Sequence, residues 1–272
     1  MSSIHHCIAV ILSMIFTLHV SGGTLEPGSP EPNSRQWKWG KHGLEVTSDP
    51  CSIPVPYEAT SWKTADFEGN VKTKNKGASL VFLGDSITDL WEYHPKYQNG
   101  AKLWKEHYVP MGVENFAISG DRTENVLWQL TDGAILKEMS PRVIVLTLGI
   151  NNVMRGDAPS SIATGIANIL KVIHHSHPAT RVLLCSVLPT CMNPGKETAT
   201  TRGAQRVNEL ISKLGNGNSV VYLDVESAFL DGQGNVDSKY FYDGLHLTEA
   251  GFETWNTLLL PKIEELLRST AK

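Results

Sequence analysis

Ser86, Asp243 and His246 are residue types that together can perform acyl transfer. Ser86 stands in "GDSIT", where an apolar run ends at Gly84 and a helical pattern begins. A serine hydroxyl is a weak nucleophile unless a base takes its proton. His246 follows Asp243 by three residues in "DGLH", a spacing at which the carboxylate can reach the imidazole and stabilise its protonated form. Taken alone, Ser86 would also suit a helix N-cap, and "DGLH" would suit a turn.

Attack on an ester carbonyl creates an oxyanion, which needs preorganised hydrogen-bond donors. The amide of Ser86 is one candidate donor. The amide of Gly120 in "ISGDRT" is a second, because a residue without a side chain allows close approach. The side-chain amide of Asn151 in "GINN" is a third, although such an asparagine could equally cap a loop.

Asp121 and Arg122, which follow Gly120 directly, allow two interpretations. They could pair with each other and hold the loop in shape, or they could contact a substrate. The structural role is favoured because exposed ion pairs are common in proteins.

These segments lie between elements that alternate along the chain. Apolar runs predict strands at 80–83, 113–117, 143–148, 182–187 and 220–223. Helical patterns are found at 88–91, 124–130, 161–175, 201–214 and 249–267, and a further helix fits within 59–76. Such alternation predicts a parallel sheet with helices on both faces. Ligands bind at the carboxyl ends of the strands in such sheets, which is where these polar segments fall.

Composition limits the class of protein. The chain has 272 residues, of which 41% are hydrophobic and 19% charged, as expected of one sizeable soluble domain with tails. The net charge of −4 comes without a basic stripe, which argues against a nucleic-acid partner. We expect a signal peptide at 1–23, a proline-rich arm or linker at 24–59 and a hydrolase domain at 60–272.

The N-terminal apolar stretch resembles a signal-peptide core. Residues 7–20 are mostly apolar, and the small residues at 21–23 resemble a cleavage region. The stretch is too short to span a bilayer comfortably, so no stable membrane span is expected. The chain is therefore predicted to be secreted, with a membrane anchor formed by an uncleaved signal as the alternative.

Three cysteines remain if Cys7 leaves with the signal. Cys185 lies inside an apolar strand pattern and is interpreted as a small buried hydrophobic residue. Cys51 and Cys191 could form a disulfide. The odd number leaves at least one thiol unpaired within a monomer.

The segments "GDSIT", "ISGDRT", "GINN" and "DGLH" resemble, in this order, the four blocks of the SGNH, or GDSL, hydrolases. The resemblance covers about residues 78–268. "VLWQL" and "DGLHLTEAGF" look especially like the catalytic subunits of platelet-activating-factor acetylhydrolase. The resemblance implies a three-layer α/β/α, flavodoxin-like sandwich with a five-stranded parallel sheet. It also implies that no metal or cofactor is needed and that a homodimer can form.

The same resemblance assigns roles to residues. It implies that Ser86 is the nucleophile, His246 the general base and Asp243 its orienting partner. Ser86, Gly120 and Asn151 would form the oxyanion hole.

Three residues depart from the blocks of related enzymes. Ser119 stands where the mammalian subunits carry glycine, and Ile150 where they carry threonine. Asn152 replaces the aspartate common in other branches.

Bulky aliphatic residues flank the catalytic ones. Ile87, Ile150 and Leu245 could close a shallow acyl pocket, because packed interiors yield little to extra methylenes. We therefore expect a secreted serine esterase that cleaves short acyl esters, chiefly acetyl, through an acyl-enzyme. The alternatives are a phospholipid-type acetylhydrolase or lysophospholipase, or a non-catalytic binding module on the same fold.

The alcohol half of the substrate could be an acetylated sugar or a lipid. Trp91 and Trp128 are interpreted as exposed residues near the site that could stack on a sugar ring, although tryptophan more often packs in a core or at its rim.

Overall fold

Five parallel strands form one sheet in the order β2-β1-β3-β4-β5. The computed structural model describes residue 44 and residues 48–192 and 198–269. The predicted signal peptide and most of the proline-rich arm lie outside these residues. The strands are β1 (Leu80–Gly84), β2 (Val113–Asn115), β3 (Val143–Thr147), β4 (Arg181–Cys185) and β5 (Val220–Leu223).

The strand order reverses direction between β1 and β3. These two strands pair in parallel, with Leu80 opposite Val143 at one end and Gly84 opposite Thr147 at the other. The crevice at the carboxyl edge of such a reversal is where ligands bind in open α/β sheets. Every residue of β1 and β3 is buried, as expected of strands covered on both faces. The predicted strands are thus found, although β2 ends at Asn115 rather than at residue 117.

Eight α-helices connect and cover the strands of the described chain. They are α1 (Trp62–Thr73), α2 (Ser86–Asp89), α3 (Ala101–Leu103), α4 (Thr123–Leu130), α5 (Ile150–Arg155), α6 (Pro159–Ser176), α7 (Ala199–Ile211) and α8 (Glu249–Ser269). A π-helical turn (Trp104–Tyr108) continues α3, and short 3-10 turns lie at Pro50–Ser52, Val109–Met111, Ser212–Leu214, Glu226–Phe229 and Ser238–Tyr240. Sequence patterns did not predict α5. No helix among these residues is long and apolar enough to cross a membrane.

The longest helix, α8, closes the core with one apolar face. Its buried positions recur at helical spacing: Phe252, Trp255, Leu259, Ile263 and Leu266. Burying each of these side chains contributes about 1.5 to 3 kcal/mol. This face anchors the segment that follows the predicted catalytic histidine.

The described end of the proline-rich segment packs on the sheet domain. The carbonyl of Cys51 accepts a hydrogen bond from Thr123 Oγ1 at 2.8 Å, and the N–H of Val55 donates to the carbonyl of Glu124 at 3.0 Å. Gly165 in α6 makes the approach possible, because a Cβ there would collide with the Cys51 carbonyl. Residues 50–58 therefore belong to the packed structure.

The three described cysteines are free and buried. The possible disulfide between Cys51 and Cys191 is therefore not formed. The thiol of Cys51 instead lies 3.4 Å from Asp157 Oδ2 and 3.5 Å from Asn152 Nδ2.

Neither predicted exposed tryptophan is exposed. Trp91 is fully buried and packs against Tyr108, Phe252 and Trp255. Trp128 is half-buried, with its ring against Tyr57 and Phe67. Both indoles pack in the structure, which corrects the suggestion that they stack on a sugar.

Candidate active site

Ser86, His246 and Asp243 form a continuous hydrogen-bonded relay at the carboxyl edge of the sheet. His246 Nε2 lies 2.9 Å from Ser86 Oγ, and His246 Nδ1 lies 2.6 Å from Asp243 Oδ2. The other carboxylate oxygen, Oδ1, accepts the backbone N–H groups of Leu245 at 2.9 Å and His246 at 2.7 Å. Both oxygens of Asp243 are therefore fixed, and the imidazole is aimed at the serine.

The turn that carries the aspartate and histidine is held in place by its backbone. An antiparallel bridge joins Phe241 to Leu247 on its two sides. Gly244 has a φ of +86°, and a Cβ there would lie 2.7 Å from the backbone of Met192. The carbonyl of Gly244 accepts the N–H of Cys191 at 2.8 Å. A glycine is required here by both its left-handed backbone and its close neighbour.

The charge of Asp243 suits the role of partner to the imidazole. Burial alone would raise the pKa of its carboxyl, but the hydrogen bond and electrostatic attraction of the His246 imidazole and the N–H groups of His246 and Leu245 outweigh burial and leave the pKa below its ordinary value. The carboxylate thus stays ionised and can stabilise a protonated imidazole.

The serine lies in a tight turn between β1 and α2. Asp85 caps α2, with its Oδ1 accepting the N–H of Ile87 at 3.1 Å. At Gly84, a Cβ would lie 2.5 Å from the carbonyl oxygen of Thr147 in β3 and would also collide with Thr88 Oγ1. Ser86 is the first residue of α2, so its N–H has no acceptor within the helix.

The loops after β1, β2 and β3 are hydrogen-bonded to one another. Asn151 Nδ2 donates to the carbonyl of Asp121 at 2.9 Å, and Ser119 Oγ donates to Asp89 Oδ2 at 2.6 Å. Gly120 has a φ of +78° in a turn closed by a 3.0 Å bond from the N–H of Asp121 to the carbonyl of Ile118. These bonds bring the three candidate oxyanion donors to one edge.

Similarity to known proteins identifies the family. Residues 82–253 match the model of the GDSL-like lipase/acylhydrolase family. The chain belongs to this family. It is 29% identical over 209 residues to the platelet-activating factor acetylhydrolase IB subunit alpha1 of Bos taurus. The aligned region covers 75% of this chain and 84% of the relative.

Two further comparisons agree on the fold. The alpha2 subunit of Rattus norvegicus is 29% identical over 231 residues, covering 82% of this chain and 94% of the relative. A GDSL-like lipase from Bacteroides thetaiotaomicron superposes with a TM-score of 0.61 at 19% identity, over 74% of this chain and 97% of that one. The predicted fold is confirmed, and this GDSL-like hydrolase is a carboxylic ester hydrolase.

Two adjacent asparagines of the GDSL-like hydrolase have separate surroundings. Asn152 is fully buried; its Oδ1 accepts the N–H of Thr123 at 3.0 Å, and its Nδ2 donates to Glu124 Oε2 at 3.1 Å and Asp157 Oδ2 at 2.9 Å. Asn152 therefore joins α4 to α5. Only Asn151 lies with its amide beside the Gly120 turn.

The predicted acyl-pocket residues lie next to the predicted catalytic and oxyanion residues in the chain. Ile87 and Ile150 are both 2% exposed, whereas Leu245 is half-buried. The first two contribute mainly to the core, and the acyl pocket stays a prediction.

The predicted pairing of Asp121 with Arg122 is wrong. Asp121 pairs with Lys63 of α1, with Nζ 3.0 Å from Oδ1, and Arg122 pairs with Glu124 at 2.7 Å. Side chains of consecutive residues in extended backbone point in opposite directions. Asp121 therefore pairs with a residue of α1, and Arg122 pairs with a residue of α4. Nothing in the spacing of the sequence pointed to Lys63.

Two tyrosine rings lie near His246. The ring of Tyr97 is 6.5 Å from that of His246 and inclined by 27°, and the ring of Tyr242 is 5.9 Å away and inclined by 21°. Tyr97 is 45% exposed. The exposed aromatic surface beside the site thus comes from tyrosine and not from the tryptophans singled out in the sequence.

Proposed function

We propose that this chain is a secreted serine esterase that removes short acyl groups, chiefly acetyl, through an acyl-enzyme on Ser86. The observation that carries this proposal is the relay from Ser86 Oγ to His246 at 2.9 Å and on to Asp243 at 2.6 Å. A serine with a base in hydrogen-bond reach, and a base with its own orienting carboxylate, is the arrangement that activates a hydroxyl nucleophile.

The reaction follows from this geometry in two halves. Ser86 Oγ attacks the ester carbonyl carbon while His246 Nε2 takes the hydroxyl proton. The amides of Ser86 and Gly120 and the side chain of Asn151 would hold the resulting oxyanion. Its collapse breaks the bond to the alcohol, which leaves with the proton from His246. Water then gives a proton to His246 Nε2 while its oxygen attacks the acyl carbon. As the bond from the acyl carbon to Ser86 Oγ breaks, His246 returns this proton to Ser86 Oγ and the carboxylic acid leaves.

Acetyl preference has two supports. The relatives of similar sequence are named acetylhydrolases. Leu245, which is half-buried next to His246, could also bound an acyl pocket, whereas the predicted walls Ile87 and Ile150 lie mainly in the core. An acyl group longer than acetyl would gain about 0.8 kcal/mol for each methylene that it buries, but the steric clash with the wall of such a pocket would cost more than this gain.

The main competing function is a phospholipid-type acetylhydrolase or lysophospholipase. The relatives' name, platelet-activating factor acetylhydrolase, favours this candidate. A non-catalytic binding module is disfavoured, because such a module has no use for a connected serine, histidine and aspartate. An acetylated sugar remains the other alcohol class, and assays on both classes of acetyl ester distinguish them.

The test is turnover of p-nitrophenyl acetate, butyrate and octanoate, together with labelling by a fluorophosphonate probe. We expect acetate to exceed butyrate and octanoate to be poor. Ser86→Ala should abolish turnover and labelling while changing the free energy of unfolding by about 1 kcal/mol or less. Near-normal turnover by Ser86→Ala would refute the mechanism, and a peak at octanoate would refute acetyl preference alone.

Secretion and self-association are parts of the proposal supported only by sequence and resemblance. The apolar stretch at 7–20, followed by small residues, supports a mature chain that begins near Thr24. Intact mass of extracellular protein tests this start site. The related catalytic subunits support a homodimer, which light scattering of the purified protein tests.

A further inference from the structure

The carboxylate of Asp121 is buried and accepts hydrogen bonds from three side chains, two of which lie outside the family match. Lys63 Nζ donates to Oδ1 at 3.0 Å, and Tyr57 Oη donates to Oδ2 at 2.6 Å. Gln129 Nε2 of α4 also donates to Oδ2, at 2.7 Å. The aspartate side chain has no exposed surface, and that of Lys63 is 20% exposed.

Asp121 is joined directly to two candidate oxyanion donors. It follows Gly120 in the chain, and its own N–H closes the Gly120 turn. Its carbonyl accepts the side-chain amide of Asn151 at 2.9 Å. A Cβ on Gly120 would lie 3.2 Å from Lys63 Nζ, so the ammonium group lies against the turn itself.

The charge of Lys63 also matters at this position. Burial raises the pKa of Asp121 to about 6, and the positive charge of Lys63 acts in the opposite direction. Without the ammonium the pKa of Asp121 would rise further, so the carboxyl would either take up a proton and lose its present bonding or, where it is ionised, place an unbalanced negative charge close to where the reaction creates another. Such a charge interacts strongly in a buried site, where solvent screening is weak.

We propose that Lys63 and Tyr57 are positioning residues for the oxyanion site: they fix Asp121 and, through it, the amide of Gly120 and the side chain of Asn151. Lys63 in addition balances the buried charge of Asp121 against the developing oxyanion. Both residues precede residue 82, where the family match begins. The segment before the matched region is thus part of the catalytic structure. This inference rests on the proposed function.

The experiment compares Lys63→Met with Lys74→Met in the whole chain. Lys74 is a matched control, because it caps the other end of α1, has a 14% exposed side chain and pairs with Glu92 at 3.0 Å. We expect Lys63→Met to lower kcat for p-nitrophenyl acetate by roughly tenfold or more with KM within about twofold, since the oxyanion forms only after attack. Lys74→Met should keep kcat, and Lys63→Arg should recover most of it.

A charge-removing pair of variants separates positioning from folding. At a pH high enough to ionise Asp121 without its ammonium partner, the double variant Lys63→Met/Asp121→Asn should turn over faster than Lys63→Met alone, because it no longer buries an unpaired charge. If Lys63→Met does not fold, Tyr57→Phe is the variant that tests the inference. It keeps the ring packing against Phe67 and Trp128 and removes only the hydroxyl. We expect a fall in its kcat with unchanged KM.

The inference is overturned if kcat per folded molecule is unchanged in Lys63→Met, or in Tyr57→Phe where Lys63→Met does not fold. It is equally overturned if Lys74→Met lowers kcat as much as Lys63→Met. A wild-type protein without esterase activity would refute the proposed function instead, so the two failures are distinguishable.

Discussion

Asn151 and Asn152 show how the surroundings of a residue decide its role. The two share one residue type and one short helix. Asn152 links Thr123, Glu124 and Asp157 in the interior, whereas Asn151 is bonded to the Asp121 carbonyl beside the Gly120 turn. Substituting Asn151 by alanine should therefore change the turnover rate, and substituting Asn152 by alanine should change the free energy of unfolding.

For Asn151→Ala we expect kcat to fall roughly a hundredfold or more, the usual loss for one oxyanion donor. KM should change little, because the lost bond is made in the transition state. Steady-state kinetics on an acetyl ester measure both values. A raised KM with normal kcat would assign Asn151 to ground-state binding.

For Asn152→Ala, the matched variant, we expect the opposite pattern. Removing its amide leaves the buried N–H of Thr123 without that acceptor, at a cost of about 1 to 3 kcal/mol in the free energy of unfolding. Turnover per folded molecule should stay near normal. Urea unfolding alongside active-site titration distinguishes the two effects.

Strands β1, β3 and β4 were predictable because buried parallel strands are nearly continuous apolar runs. β2 ends early because the side chain of Asn115 turns the chain: its Oδ1 accepts the N–H of Ala117 at 3.1 Å. Helix α5 has only six residues and opens with "INN", so it carries little helical periodicity. The relay residues were found because their blocks have recognisable order. Lys63 was not found, because its partner lies 58 residues away and no local spacing encodes that contact.

Two glycines give contrasting predictions for the elements that carry them. Gly84→Ala should destabilise the junction of β1 and α2 by several kcal/mol and reduce activity, because its Cβ would lie 2.5 Å from the Thr147 carbonyl. Gly69→Ala in α1 should stabilise the protein by about 0.5 to 1 kcal/mol, because an added Cβ meets nothing within 4 Å. Thermal unfolding of both variants measures these shifts. Equal stability of the two would contradict the packing described at β1.

At the scale of the whole molecule, buried carboxyl groups link stability to pH. Burial raises the pKa of Asp85 to about 7, while the Ile87 amide and the charges of His246 and Lys63 act in the opposite direction and Asp121 adds to the rise. An aspartate in the unfolded chain titrates near about 3.9. The folded protein therefore binds more protons than the unfolded chain between about pH 4 and 7, and this group's contribution to stability falls as pH rises.

Asp85→Asn keeps an oxygen that can cap Ile87 but cannot ionise. The difference in free energy of unfolding, variant minus wild type, should increase from pH 4 to pH 7 by on the order of 1 kcal/mol or more, because the wild type loses stability over this range. Denaturant titrations across this range provide the measurement. Asp231→Asn serves as a control, because hydrogen bonds from the Asn235 and Gln233 amides lower the pKa of that exposed carboxyl. A pH-independent difference for Asp85→Asn would contradict the buried ionisation described for Asp85.

The distance in sequence between Ser86, the proposed nucleophile, and His246, its proposed base, has a consequence for synthesis. Ser86 and His246 are 160 residues apart, and α8, which anchors the histidine turn, follows both. A growing chain emerges from its N-terminus, so for most of translation it contains a serine with no base to activate it. Esterase activity would then appear only when the last helix docks. In a cell-free translation reaction, ester turnover would report the completion of folding and not the amount of chain made.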